Sequence, residues 1–482
     1  MKHDRPSVAP VLPVAASDAL AGLTENRTRT LELAHGNHDL VRVLDALGIA
    51  GPFTRIDPWE LEDQHGGRMI HAGGYAALPF GERPDFLVEG LQAALNDPSW
   101  VSFSQQSMSS LRAALEANLV ALLHTASNDH EDAGVVFSNS GAEAIEVAIK
   151  MARAARPKAP WLIAFQGGYH GKTMGALSVT PSREYQKAFG PLLANVRVLP
   201  YGDPDALERE MAAIGADQIA AIIAEPLQGE GGVVAPDAAF LPTIERLRQR
   251  HGILAIADEI QTGLGRTGSW FASIDGGLSP DIITLAKPLS GGLVPVGATL
   301  ARRSIMRKFL PGFAARRHSS TFAGNALAML TGLLSVEAMV EQDLPHRARV
   351  EGEEGLKRLK AFAQERDGLV REVRGHGMLF ALVLHNPVPA SVLGGNQNLT
   401  RLLASGLGVR GLQESGVHAI VSLNANGVVR LTPALDMPAD RLARLWDNVD
   451  TMGRKYPSAT HLAKHLTPPR LVQMARLASR TP

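Results

Sequence analysis

Five short apolar runs recur in the first two-thirds of this 482-residue chain: Gly134–Phe137, Trp161–Phe165, Ile219–Ala224, Ile253–Ala257 and Ile282–Leu285. None alternates polar with apolar residues, so each reads as a strand buried on both faces. Between several of them lie amphipathic helical stretches, Ala142–Arg156 and Ala239–Arg250 among them. Strands buried on both faces and separated by helices indicate a largely parallel sheet in an α/β domain. Earlier in the chain, helices are expected over Leu33–Leu47, ended by Gly48, over Phe86–Leu95 and over Leu111–Leu123, with a short strand at Arg68–Ala72.

After about residue 335 the pattern changes. Val336–Arg366 is mostly helical with a charged face, and Pro345 should kink or split it. Short strands at Leu369–Val373, Leu379–Leu384, Ala419–Leu423 and Val428–Leu431 then mix with helices near Leu399–Gly406 and Ala439–Tyr456. The organisation expected is a mobile N-terminal extension over 1–30 and the first part of a small domain over 31–85. A large domain over 86–340, the rest of the small α+β domain over 341–460 and a tail over 461–482 complete it.

Composition removes several function classes. There is no cysteine, which excludes disulfides, thiolate nucleophiles and Cys-held metal centres. Lys plus Arg equals Asp plus Glu at 48 each, so nothing calls for a nucleic-acid partner. No apolar run approaches the roughly 18 residues of a membrane span, and Pro10 and Pro13 interrupt the apolar start. The expected compartment is the cytoplasm.

The ends of the buried strands carry the chemistry. Ile253–Ala257 runs into Asp258-Glu259, and Ile282–Leu285 runs through Ala286 into Lys287. Ligands of parallel α/β sheets bind beyond the carboxyl ends of the strands. A desolvated lysine can form an imine, and a carboxylate beside a pyridine nitrogen keeps that nitrogen protonated. The pair therefore suits pyridoxal 5′-phosphate (PLP), although a buried Asp–Lys ion pair would look the same. Ser138–Ala144 lies between a strand and a helix, where backbone amides could cradle a phosphate or Ser140 could simply cap the helix. Tyr169, in the Gly-rich turn Gly167–Thr173, could lie on a cofactor ring. Glu225–Gly232 brings Glu225 and Glu230 to the same sheet edge. Gly263-Leu264-Gly265-Arg266-Thr267-Gly268 fits a dinucleotide fingerprint but lacks the strand–turn–helix setting such a fingerprint needs.

Taken together, these segments resemble class III aminotransferases of PLP fold type I, the ornithine, acetylornithine, 4-aminobutyrate and putrescine group. The resemblance covers roughly residues 50–455. It rests on Asp258–Gly268, Pro280-Asp281, Ala286-Lys287 and His318–Asn325. It implies that Lys287 forms the Schiff base and shuttles the proton, and that Asp258 pairs with the ring nitrogen. By the same resemblance Gln261 meets the ring hydroxyl and Glu225 supports the ring's surroundings. Gly141 and Ala142 would donate amides to the phosphate, Tyr169 would stack on the ring, and Thr321 would reach the phosphate of a neighbouring subunit in a homodimer. Arg430, in Val428–Pro433, is similar to the arginine that holds a substrate carboxylate. Glu230 is similar to the glutamate that pairs with that arginine, and Lys172 stands where many members carry arginine, as in putrescine-type enzymes. Pro288 and Ala323 depart from the usual pattern.

The reaction implied is transfer of an amino group from a terminal-amine donor (diamine, ornithine or similar ω-amine) to a 2-oxo acid, 2-oxoglutarate or pyruvate, by a ping-pong route. A racemase, epimerase or aminomutase on the same fold and a cofactor-free binding protein are the alternatives. No metal is expected.

Overall fold

The computed structural model describes residues 12–101, 107–393 and 395–478. Its centre is a seven-stranded sheet in the order Gly134–Ser138, Gly297–Ala301, Ile282–Leu285, Leu254–Asp258, Ile219–Ala224, Trp161–Phe165, Val196–Leu199. All strands run the same way except Gly297–Ala301, which is antiparallel to both neighbours. All six side chains of Ile219–Ala224 are buried, as its unbroken apolar sequence requires. Helix Gly141–Ala155 packs Ile145, Ala148 and Ala152 on one face of the sheet, and helix Phe240–His251 packs Phe240, Ile244 and Leu247 on the other. Each buried Ile, Leu or Phe in these layers contributes about 1.5–3 kcal/mol. A charge at Ile222 would be unpaired between them and would break the packing.

Two four-stranded sheets lie outside this centre. One runs Phe53–Asp57, Glu60–Asp63, Arg68–His71, Val417–His418, joining the early chain to the late chain. The other runs Val370–His376, Leu379–Leu384, Val428–Leu431, Ile420–Val421. The long helical stretch after residue 325 is two helices, Ala326–Glu341 and Leu344–Glu365. They part at Asp343, which takes a φ of 46°, with Pro345 in the first turn of the second helix.

Three features differ from the sequence expectation. The helix expected over Leu33–Leu47 is two, Glu25–His35 and His38–Leu47, because Asn37 caps a new start by accepting the Leu40 amide. Residues 12–30, expected as part of an extension, contain helix Ala16–Ala21 and the start of Glu25–His35, while 1–11 lie outside the described residues. Strand Gly297–Ala301 was not expected at all. It enters the sheet antiparallel because a hairpin-like return from the Lys287 turn brings it back beside the strand it has just left. No described helix is long and apolar enough to cross a membrane.

Candidate active site

The carboxyl ends of strands Gly134–Ser138, Trp161–Phe165, Leu254–Asp258 and Ile282–Leu285 open on one cavity of about 480 Å³. Its walls include Gly141, Ala142, Tyr169, His170, Lys172, Ile260 and Lys287. Lys287 heads a short 3₁₀ turn, Lys287–Ser290. Pro288 is accommodated there because its missing N–H falls in the first turn of a helix, where no intrahelical bond is made. Burial lowers the Lys287 pKa, and Arg430 pushes the same way, while Glu230 and Asp258 oppose the shift. The net effect favours a neutral amine.

Asp258 is buried at the end of its strand and fixed from three sides. His170 Nδ1 lies 2.6 Å from Oδ2, the Ile260 amide donates to Oδ1 at 3.1 Å, and Thr284 Oγ1 donates to Oδ1 at 3.4 Å. Burial alone would depress the pKa of His170, but the Asp258 hydrogen bond and charge raise it overall. His170 carries no role among the residues the sequence singles out. Its signal was its place next to Tyr169 in a turn already singled out, two strands from an acid that needed a partner. Glu225 is buried beside this pair, and burial raises its pKa. It accepts the Tyr169 amide at 2.9 Å and the Gly229 amide at 3.1 Å, tying two site loops together.

A second polar cluster is not among the residues lining the cavity but lies near enough for Glu230 and Arg430 to act on the charge of Lys287. Arg430, fully buried, donates from Nη2 to Glu230 Oε1 at 2.6 Å and from Nη1 to Gln261 Oε1 at 2.9 Å. Gln261 Nε2 donates to the same Glu230 oxygen at 3.3 Å, and the Leu423 amide holds Glu230 Oε2 at 2.9 Å. Gln261 is thus engaged with Arg430 and Glu230. The Tyr75 ring covers the cluster, its centroid 5.7 Å from Arg430 Cζ. Tyr75 and Ala76 both have φ in the left-handed region, at 52° and 62°. Two successive non-glycine residues held there are strained, and such strain gathers at functional sites.

Lys172 has no carboxylate partner among the described residues; its Nζ lies 3.9 Å from the Tyr185 ring centroid and 5.9 Å from that of Tyr169. Tyr185 is itself anchored by donating to the Leu423 carbonyl. Thr321 is exposed and does not line the cavity of its own chain. It adjoins Ser320, whose Oγ accepts from Asn139 Nδ2 at 2.8 Å at the cavity rim.

The helix Gly141–Ala155 is capped by Ser140, which accepts the Glu143 amide at 3.2 Å, and Glu143 reaches back to the Asn139 amide at 2.8 Å. The amides of Gly141 and Ala142 lie in the first turn, which no intrahelical carbonyl serves. Gly171, with φ of 123°, crosses so close that a Cβ there would meet Ala142 Cβ at 2.6 Å. These features fit PLP: an anion cradle at a helix start, an aromatic wall and a lysine whose pKa burial lowers line one cavity, and an acid is held directly behind His170 of its wall. The dinucleotide-like run Gly263–Gly268 forms a buried turn, with Arg266 inside the protein and bonded to the Met378 and Pro433 carbonyls.

Residues 51–451 match the class III aminotransferase family. An amine transaminase from an uncultivated Pseudomonas species, solved in its PLP-bound form, is 28% identical over 84% of this chain and 95% of its own, with a TM-score of 0.73. Acetylornithine aminotransferase from Elizabethkingia anophelis is 27% identical over 90% of this chain and 100% of its own, with a TM-score of 0.72. Ornithine aminotransferase from Toxoplasma gondii ME49 shares the fold at 23% identity over 90% of this chain and 96% of its own, with a TM-score of 0.77. The chain belongs to the class III aminotransferase family, whose members are PLP-dependent transaminases of fold type I.

Proposed function

We propose that this aminotransferase takes the amino group of a terminal-amine donor and passes it to 2-oxoglutarate or pyruvate in two half-reactions that share one pocket. The observation that carries the reading is the buried Arg430–Glu230 pair at 2.6 Å, near enough to Lys287 for both charges to act on it. Paired with Glu230, Arg430 offers no free charge, and a donor lacking a carboxylate at that end is accepted. Released from Glu230, its planar fork can hold the carboxylate of a 2-oxo acid through two parallel hydrogen bonds.

When bound, PLP supplies an electron-poor ring that stores the charge left when a proton leaves the carbon bearing the amine. Lys287 holds and moves that proton at Nζ, a role its lowered pKa suits. Asp258 would accept a hydrogen bond from the ring N–H and keep that nitrogen protonated, while His170 Nδ1 holds Asp258 Oδ2. Tyr169 would pack on the ring face and Gln261, through the N–H not given to Glu230, would meet the ring hydroxyl, while Glu225 fixes the Tyr169 loop. Gly141 and Ala142 donate their amides to the phosphate at the helix start. Thr321, exposed and not among the lining residues of its own cavity, would serve the phosphate of a second subunit in a homodimer.

Lys172 refines the donor class. An ammonium without a carboxylate partner repels the far ammonium of a diamine and attracts a far carboxylate. Ornithine-like donors, whose far end carries a carboxylate beside its ammonium, therefore gain a contact with Lys172 that is added to the diamine reading and does not replace it.

The test incubates holoenzyme with ornithine, putrescine or another ω-amine and each 2-oxo acid, and quantifies the new amino acid and the carbonyl product by chromatography. Equal amounts of the two are expected. Donor stereoinversion or isomerisation with no consumption of 2-oxo acid would replace this reading with a racemase or aminomutase.

A further inference from the structure

Arg266 is among the largest fully buried side chains of the protein, and no carboxylate among the described residues pairs with it. Its Nε and Nη2 are buried without a partner among the described residues. Its Nη1 serves two backbone carbonyls, Met378 at 2.9 Å and Pro433 at 2.6 Å. A lone cation this deep is costly, so its retention calls for a task that an apolar side chain could not perform.

The two carbonyls flank adjacent ends of one strand pair. Met378 precedes Leu379–Leu384, Pro433 closely follows Val428–Leu431, and the two strands are antiparallel with Phe380 opposite Leu431 and Ala381 opposite Arg430. On its own side, Arg266 lies five residues after Gln261, in the turn that continues from strand Leu254–Asp258. The Met378 amide returns a hydrogen bond to the Arg266 carbonyl at 3.0 Å. Backbones meet closely here: a Cβ at Gly377, where φ is 54°, would lie 2.5 Å from the Arg266 carbonyl oxygen.

From this geometry we infer that Arg266 is a positioning residue for the substrate-carboxylate site, clamping the strand that carries Arg430 to the turn that carries Gln261. It lines no part of the cavity and touches neither reactant. Its guanidinium sets the span across which Arg430 Nη1 reaches Gln261 at 2.9 Å and Nη2 reaches Glu230 at 2.6 Å. Loosening the clamp leaves Lys287 and Asp258 on their own strand ends and displaces Arg430 alone. The inference rests on the reading of Arg430 as the acceptor-carboxylate site, and the test separates the two.

Holoenzyme carrying Arg266→Met, Arg266→Lys or Arg430→Met is compared with the unaltered protein in each half-reaction, using putrescine or 1-phenylethylamine as carboxylate-free donor and pyruvate or 2-oxoglutarate as acceptor. Amide hydrogen exchange is followed across Val428–Leu431 and Leu254–Asp258. Arg266→Met should raise the acceptor KM by about tenfold or more, the scale of a lost charged hydrogen bond, while donor-side rates stay within about threefold. Exchange should rise in Val428–Leu431 and not in Leu254–Asp258. Arg266→Lys, able to hold one carbonyl but not a planar pair, should fall between. If Arg266→Met does not fold, an acceptor KM unchanged in Arg266→Lys overturns the inference. Equal losses in both half-reactions, or exchange raised in both strands, overturn it as well and leave Arg266 a general packing residue. If Arg430→Met leaves the acceptor KM unaltered, or no carboxylate-free amine is accepted, the acceptor-site reading fails, and the exchange pattern alone still decides whether Arg266 clamps Arg430.

Discussion

The two polar clusters of the site are built in opposite ways. Asp258, His170, Thr284 and Lys287 all hang from the ends of the central sheet or the turns next to them, and three hydrogen bonds to Asp258 come from that same unit. Arg430 reaches its partners from another sheet: it sits on Val428–Leu431, whereas Glu230 follows Ile219–Ala224 and Gln261 follows Leu254–Asp258 of the central sheet. The first cluster keeps its geometry as long as one sheet is folded. The second depends on how two sheets are held together. Steps common to both half-reactions belong on the rigid frame, and the step that must distinguish donor from acceptor belongs where charges can part and rejoin.

Variants can break this contrast. The largest effect is expected from Lys287→Ala, which should lower kcat about 10⁴-fold in both half-reactions, as loss of a proton-transfer group does, measured by single-turnover kinetics. A loss confined to one half-reaction would contradict the division. Next, Asp258→Asn should slow both half-reactions on the order of 10²-fold, the cost of losing one placed electrostatic partner. Arg430→Met should act on one side only, raising the acceptor KM about 10–100-fold and leaving a carboxylate-free donor nearly untouched. It also strands buried Glu230, so Glu230→Gln in the same chain should recover part of the lost melting temperature. Lys172→Met, at the rim, should be smallest: KM for a carboxylate-bearing donor rises about threefold, and that for a diamine falls or holds.

A pH test sharpens the rigid side. The pKa of Lys287 is lowered in the folded protein, so between that value and the ordinary 10.5 the unfolded chain binds more protons. Stability of the cofactor-free protein should therefore rise with pH across that window through this group. For the same reason the rate of PLP capture should climb with pH and level off below 10.5. Capture that keeps rising to 10.5 would mean that the lysine is not desolvated.

Much of the rigid frame was legible in the sequence because its signals are local. Continuous apolar runs end in Asp258 and Lys287, and a small-residue turn opens helix Gly141–Ala155. What escaped depended on partners distant in sequence. Gly297–Ala301 is as apolar as its neighbours, but nothing in five small residues states that it returns antiparallel between Gly134–Ser138 and Ile282–Leu285. His170 acquires meaning only when Asp258, 88 residues on, is 2.6 Å away. Arg266 sat inside a glycine pattern that read as a false dinucleotide fingerprint, and its partners Met378 and Pro433 lie 112 and 167 residues further along. The break at Gly36-Asn37 was local but was hidden by apolar spacing that continues across it.

The most direct measurement is the visible absorbance of the PLP-loaded enzyme through one full cycle, first with excess ornithine-like donor, then with 2-oxo acid, in the unaltered protein and in Arg430→Met. The donor should bleach the yellow band in both proteins at similar rates, and the 2-oxo acid should restore it readily only in the unaltered one. A band restored equally well in Arg430→Met, or one that never responds to donor, would contradict it.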